Sequence, residues 1–286
     1  MLARPTIQLH RAAPASECAR FGGLAAASHL RKVAICEGQL RTLFFGRCLA
    51  SPPFCRKERF LEKQGIHASS SSQEPRYKAL TVDIGGTFLK TSVPVAEAYA
   101  EIGKKYGVTA TPDDIKKGFK AAFAKPWPDR LRYEGDGRPF WRHAVATATG
   151  CDNTDYFEEL YLHYSRGDAW KVEDGAEEAL SKLKAAGVKL GVVSNFDTRL
   201  RPVLDDLGVS DLFDAIIVSA EVGHEKPATE IFQAALSALS ISRSSEAAHI
   251  GDDRTADVDG AKAAGMQAWL WKEDVKTFDE LVRLIL

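Results

Sequence analysis

Aspartate is missing from more than a quarter of the chain: of 286 residues, the first aspartate is Asp83. Acidic residues before it are a few scattered glutamates, whereas arginine, alanine and serine are plentiful, and the segment closes on Ser69-Ser-Ser-Ser-Gln-Glu-Pro75. Acid-poor, Arg- and Ser-rich N-terminal segments are the mark of organellar transit peptides. A compact apolar core followed by a small-residue cleavage site is also lacking, which argues against a secretory signal. Residues 1–70 are expected to be a cleaved leader addressed to the chloroplast, with the mitochondrion as the alternative.

Cysteine is scarce and badly placed for a framework. Cys18, Cys36, Cys48 and Cys55 fall in the leader and only Cys151 lies beyond, with no CxxC pair and no nearby His cluster. Neither a disulfide scaffold nor a zinc site fits, and a reducing compartment does. Charge of one sign is lacking too: the formal net charge is -1, so no global field draws the chain to nucleic acid. Nothing approaches the roughly 18–20 consecutive apolar residues of a membrane span. Hydrophobic content of 45% and charged content of 27% are those of a soluble globular protein.

What is present is organised around Ala79-Leu-Thr-Val-Asp83-Ile-Gly-Gly-Thr87. A short apolar run ending in an aspartate and two glycines reads as a buried strand that delivers a carboxylate into a tight loop. A helical pattern follows over residues 92–107, and Thr111-Pro112-Asp113-Asp114 announces a second helix: a capping hydroxyl, a first-turn proline and carboxylates at the positive helix end. Residues 140–149 and 156–164 complete a run of four helices without a strand signal. A helical insert is therefore expected over residues 91–172, its aromatics read as core. Its candidates for touching a ligand are Arg132, Arg142, His143 and His163, although such charges usually face water.

From Glu173 onward, helices and strands alternate. Strands are expected at 188–195, 215–219, 247–251 and 266–271; helices at 176–186, 198–207, 227–239, 258–264 and 278–286. This pattern gives an α/β fold, a doubly wound parallel sheet over residues 77–90 and 173–286. Such sheets place ligands beyond the carboxyl ends of their strands, where Asp83, Ser194-Asn195, Lys226 and Asp252-Asp253 would converge. Those groups suit phosphoryl transfer. Carboxylates are hard ligands for Mg²⁺, Asp83 is placed as a nucleophile, and Ser194 and Lys226 would hold phosphate oxygens. Lys226 would also favour the ionised form of Asp83.

Four motifs in order, Asp83-Ile-Gly-Gly-Thr87, Ser194-Asn195, Lys226-Pro227 and Gly251-Asp252-Asp253-Arg-Thr-Ala-Asp257, make residues 77–286 similar to the haloacid dehalogenase-like hydrolases. The resemblance implies a Rossmann-like core, a helical cap inserted after the first strand, and a small phosphorylated substrate. It also implies a phosphate cradle of Gly85, Gly86, Thr87, Ser194, Asn195 and Lys226, with Asp83, Ser194 and Lys226 catalytic. Mg²⁺ would be held by Asp83, the Gly85 carbonyl and Asp252, with Asp253 and Asp257 also in the metal site. Neither nucleic acid nor membrane is expected as a partner.

One position departs from the pattern. Phosphatases of this family carry an aspartate two residues after the nucleophile, as proton donor and then base; here it is Gly85. General acid–base groups contribute typically about 10²–10⁴-fold, so alkyl phosphates should turn over slowly. The chain is then a phosphohydrolase or phosphotransferase for easily expelled leaving groups, a dehalogenase, or a non-catalytic relative. A sugar-kinase reading of Asp83-Ile-Gly-Gly-Thr87 with Lys90 lacks the second phosphate loop it would need.

Overall fold

The structure, a computed structural model, describes residues 74–124, 127 and 132–286; the leader expected at 1–70 lies outside them. The core is a five-stranded sheet, β1 (Ala79–Val82), β4 (Lys189–Ser194), β5 (Ala215–Val218), β6 (Ala247–Gly251) and β7 (Gln267–Leu270), in the order β5-β4-β1-β6-β7. Every neighbouring pair is parallel. Parallel strands buried on both faces read as unbroken apolar runs, and all four residues of β1 are buried.

Successive side chains of a strand go to opposite faces, and the sheet sorts them accordingly. Leu80, Val82, Leu190, Val192, Ala248 and Ile250 enter one apolar cluster; Ala79, Val193 and Ala247 enter the other. The first is covered by helices α5 (Ala176–Ala185), α6 (Leu200–Asp206) and α10 (Phe278–Ile285); the second by α8 (Thr229–Ala238) and α9 (Gly260–Ala263). Thr277 caps α10, its hydroxyl accepting from the Glu280 N–H at 3.2 Å.

Register brings the strand ends level. Val82 pairs with Val192 on one side and Ile250 on the other, and the Asp83 N–H continues the ladder to the Ile250 carbonyl at 2.9 Å. The chain therefore delivers Asp83, Ser194 and Asp252 to one edge.

Between β1 and β4, helices α1 (Val95–Gly103), α2 (Pro112–Ala124), α3 (Arg138–Thr149) and α4 (Thr154–His163) build a core of their own. Ile115, Val145, Tyr156, Phe157 and Leu160 lie at its centre. Thr111 and Asp114 close the expected cap of α2, each accepting from the other's backbone N–H at 3.2 Å.

Two features differ from expectation. The chain enters and leaves this helical segment through a two-stranded antiparallel pair, β2 (Leu89–Thr91) with β3 (Trp170–Val172); three residues are too few for an alternating pattern to show. The helix expected from Pro227 begins at Thr229. Asn195 holds the Lys226 backbone at both ends, Oδ1 accepting from its N–H at 2.7 Å and Nδ2 donating to its carbonyl at 3.0 Å. That ties the segment to the β4 loop, and Ala228, with ψ 133°, is the extended residue that precedes the helix.

Candidate active site

At the carboxyl edge of the sheet a cleft of about 280 Å³ is lined by Asp83, Gly85, Ser194, Asn195, Lys226, Asp252, Asp253 and Asp257, with Tyr133, Trp141 and Phe196 among its walls. The helical segment thus supplies part of the enclosure, through Tyr133 and Trp141.

Lys226 is the hub. Its Nζ lies 2.6 Å from Asp83 Oδ1 and 2.6 Å from Asp257 Oδ1, and the residue is 6% exposed. Burial disfavours an ammonium, but these two carboxylates outweigh it and hold the lysine above its ordinary range. Asp257 sits in a wide helical turn, Arg254–Asp259, just after β6. Its Oδ1 also meets His249 Nε2 at 3.1 Å, and its Oδ2 accepts from the Asp253 N–H at 2.9 Å. Burial would raise its pKa; Lys226 and His249 prevail and keep it well below the carboxylate range. Asp83 goes the other way, pushed up to about 6, by burial first and then by Asp257 and Asp252, against the pull of Lys226.

The structure separates the expected residues into groups. Asp83, Asp252 and Asp257 bring carboxylate oxygens within 4.8 Å of one another. Asp253 stands outside that group: its Oδ1 accepts from the Thr255 and Ala256 N–H groups at 2.8 and 2.7 Å, capping the turn. Gly85, Ser194 and Lys226 line the cleft together. Asn195 lines it too, but its amide is taken by the Lys226 backbone. Thr87, expected in the phosphate cradle, is fully buried, with no partner for its hydroxyl among the described residues. Gly86 lies behind Asp252, where a Cβ would meet Oδ2 at 2.2 Å. Arg132 pairs with Glu225 at 3.2 Å, and Arg142 donates to Thr154 Oγ1 at 2.7 Å; neither these nor His143 and His163 line the cleft.

Sequence reasoning overlooked His249, which stands in mid-strand on β6 with Nδ1 2.8 Å from Thr81 Oγ1. A titratable residue inside a wholly apolar strand was the available signal. It also overlooked the clasp between α3 and the loop after β4. There Trp141 Nε1 donates to Asp197 Oδ2 at 2.8 Å, and Arg199 grips the same buried carboxylate at 2.6 and 2.7 Å.

An acidic cleft with a buried lysine at the strand ends, partly walled by the inserted helices, places the chain among Rossmann-like α/β proteins with their polar site at the carboxyl edge of the sheet. A family model described as haloacid dehalogenase-like hydrolase matches residues 77–265, and the chain belongs to that family. Human haloacid dehalogenase-like hydrolase domain-containing protein 3 is 33% identical over 204 residues, covering 68% of this chain and 81% of its own. A HAD phosphatase from Thermococcus onnurineus superimposes with a TM-score of 0.55 at 25% identity, over 72% of this chain and 97% of its own. The HAD-hydrolase YfnB from Bacillus subtilis bound to magnesium has the same fold, with a TM-score of 0.60 at 22% identity over 73% and 98% of the two chains.

Proposed function

We infer that the chain is a Mg²⁺-dependent phosphohydrolase or phosphotransferase that works through a phosphorylated Asp83. The observation that carries the reading is the position of Lys226, 2.6 Å from both Asp83 and Asp257, whose carboxylates gather with that of Asp252. Lys226 engages Asp83 through Oδ1, which leaves Oδ2 for attack or for a metal. Oxygen donors crowded around one point suit Mg²⁺. Asp83 and Asp252, with the Gly85 carbonyl, would hold it; both oxygens of Asp257 already have donors. Bound there, the cation would neutralise charge on the phosphoryl oxygens.

The residues of the chain then divide the work. Asp83 attacks phosphorus in line and the leaving group departs with the bonding electrons. Lys226 and Ser194 hold the equatorial oxygens, where charge accumulates. The Asn195 amide fixes the Lys226 backbone, and Asp257 fixes its ammonium. Gly85 supplies no proton to the departing oxygen, so the substrate must carry a leaving group that needs little protonation.

Mg²⁺-dependent turnover of acetyl phosphate, para-nitrophenyl phosphate and a sugar phosphate by the full chain tests this. Activity on the first two, abolished in Asp83→Asn, is expected. A Cβ at Gly85 would meet nothing within 4 Å, so Gly85→Asp fits, and it should raise kcat/KM on the sugar phosphate by about 10²-fold or more. Absence of turnover in the wild type and in Gly85→Asp would leave the chain a non-catalytic member of its family.

A further inference from the structure

A second space opens beside the catalytic cleft, and its chemistry is different. It is a partly enclosed cavity of about 100 Å³, walled mainly by Val95, Tyr99, Val145, Phe157, Leu160 and Trp170. Trp141 and Phe196 line both this cavity and the cleft. The two spaces therefore share a wall, and Phe196 directly follows Ser194-Asn195 in the chain.

Two features show what the cavity would accept. Its one cationic lining residue, Arg199, is already bound to Asp197 through two nitrogens at 2.7 and 2.6 Å, so no free positive charge is offered there to a phosphate. Tyr164, also in the lining, is buried, and its hydroxyl has no partner among the described residues. A hydroxyl-rich sugar would give up its hydrogen bonds to water against these apolar walls, which is costly. A flat apolar ring with one polar substituent would not. An engineered apolar cavity of about 150 Å³ takes benzene; this one is smaller but only partly enclosed.

Gly85 points independently to the same kind of ligand. Without an acid at that position the leaving oxygen must depart as an anion. A phenol ionises at about 10, as tyrosine does, whereas an aliphatic alcohol resembles water, at about 16. A phenolic leaving group is both flat and easily expelled.

We propose that the cavity receives the leaving group, and that the substrate is a phosphate monoester of a single-ring phenol; this rests on the phosphotransfer reading above. The Asp83 oxygen bonds to phosphorus as the bond from phosphorus to the phenolic oxygen breaks, and the phenolate leaves with that electron pair. Water then attacks phosphorus and restores the Asp83 carboxylate, its protons shared between the released phosphate and the phenolate.

Steady-state kinetics of the full chain with Mg²⁺ compare phenyl phosphate with acetyl phosphate, of which only the first carries a ring. Val145→Phe fills the cavity from α3 and should lower kcat/KM for phenyl phosphate by about tenfold or more while leaving acetyl phosphate within about twofold. Equal losses, or none, overturn the proposal. Val95→Phe fills it from α1 and replaces Val145→Phe should that variant not fold. Calorimetry with phenylphosphonate and methylphosphonate needs no turnover, and so separates this proposal from the reading beneath it. A preference for the ring of about tenfold, or about 1.4 kcal/mol, lost in Val145→Phe, upholds the cavity even where nothing is hydrolysed; the phosphotransfer reading is then what fails. Equal or undetectable binding of the two phosphonates overturns the cavity.

Discussion

The carboxylate of Asp252 lies so close against Gly86 that a Cβ on that glycine would stand 2.2 Å from Oδ2. The backbone there has φ +86°, in the left-handed region where a side chain is strained. One residue earlier the situation reverses, and a Cβ on Gly85 would meet nothing within 4 Å. The adjacent glycines therefore differ in kind. Gly86 is required by the geometry of Asp252, whereas the glycine at 85 is not imposed by the backbone.

Alanine substitutions separate them. Gly86→Ala should lower unfolding free energy by about 1–3 kcal/mol, through backbone strain and displacement of Asp252. Gly85→Ala should stay within about 0.5 kcal/mol of wild type. Urea denaturation of both variants measures this, and equal losses would contradict the local geometry.

Asp252 and Asp253 are neighbours with different tasks. Asp252 belongs to the three-carboxylate group, so Asp252→Asn should weaken Mg²⁺ binding on the order of tenfold or more. Asp253 caps a turn, so Asp253→Ala should cost about 1 kcal/mol and leave Mg²⁺ affinity nearly unchanged. Calorimetric titration with Mg²⁺, alongside thermal melts, reads both. A loss of affinity confined to Asp253→Ala would return that residue to the metal set.

His249 bridges Thr81 and Asp257 in the interior. An ionised carboxylate only accepts, so the ring nitrogen facing Asp257 carries the proton. His249→Leu would leave that buried carboxylate one donor short and should cost about 2–4 kcal/mol. Thr81→Val removes a neutral hydroxyl and should cost about 1 kcal/mol. Chemical denaturation at neutral pH gives the order; the reverse order would mean that the histidine is held by packing against Phe232 rather than by its polar partners.

The sheet and the edge where the polar groups gather were legible because parallel strands carry two signals at once. Their apolar runs mark burial, and the polar residue that ends each run marks the ligand edge, as at Asp83, Ser194 and Asp252. Contacts made after folding were not legible. Nothing in Ser194-Asn195 reveals that the amide holds the Lys226 backbone, or in Asp252-Asp253 that the second carboxylate turns away to cap. Thr87 sits in a phosphate-like motif, yet the β1 turn carries it into the core. The wall of Trp141 and Phe196 joins residues 55 positions apart, a distance no local periodicity spans. The β2–β3 pair was invisible for a simpler reason: its strands are too short.

Acid response gives the sharpest test of the site's electrostatics. Asp83, pushed up to about 6 from an ordinary 3.8 chiefly by burial, binds its proton more tightly folded than unfolded. Between those values the folded state holds the extra proton, so this group's contribution to stability falls as pH rises through the window, and its destabilising effect is complete above about 6. Asp257 runs oppositely: held well below the carboxylate range mainly by Lys226, it contributes stability present above its unfolded value and lost at lower pH. Asp83→Asn removes the first effect and leaves Lys226 its partner in Asp257. With chelator present, that variant should therefore be more stable than wild type at pH 8, by at most about 3 kcal/mol, and the gain should shrink below about pH 6 and vanish below the ordinary 3.8. Mg²⁺ should narrow the gap at pH 8 by stabilising the wild type. A variant less stable than wild type at pH 8 would mean that pairing with Lys226 outweighs the burial of Asp83, making the two a structural ion pair rather than a carboxylate held at a cost for chemistry.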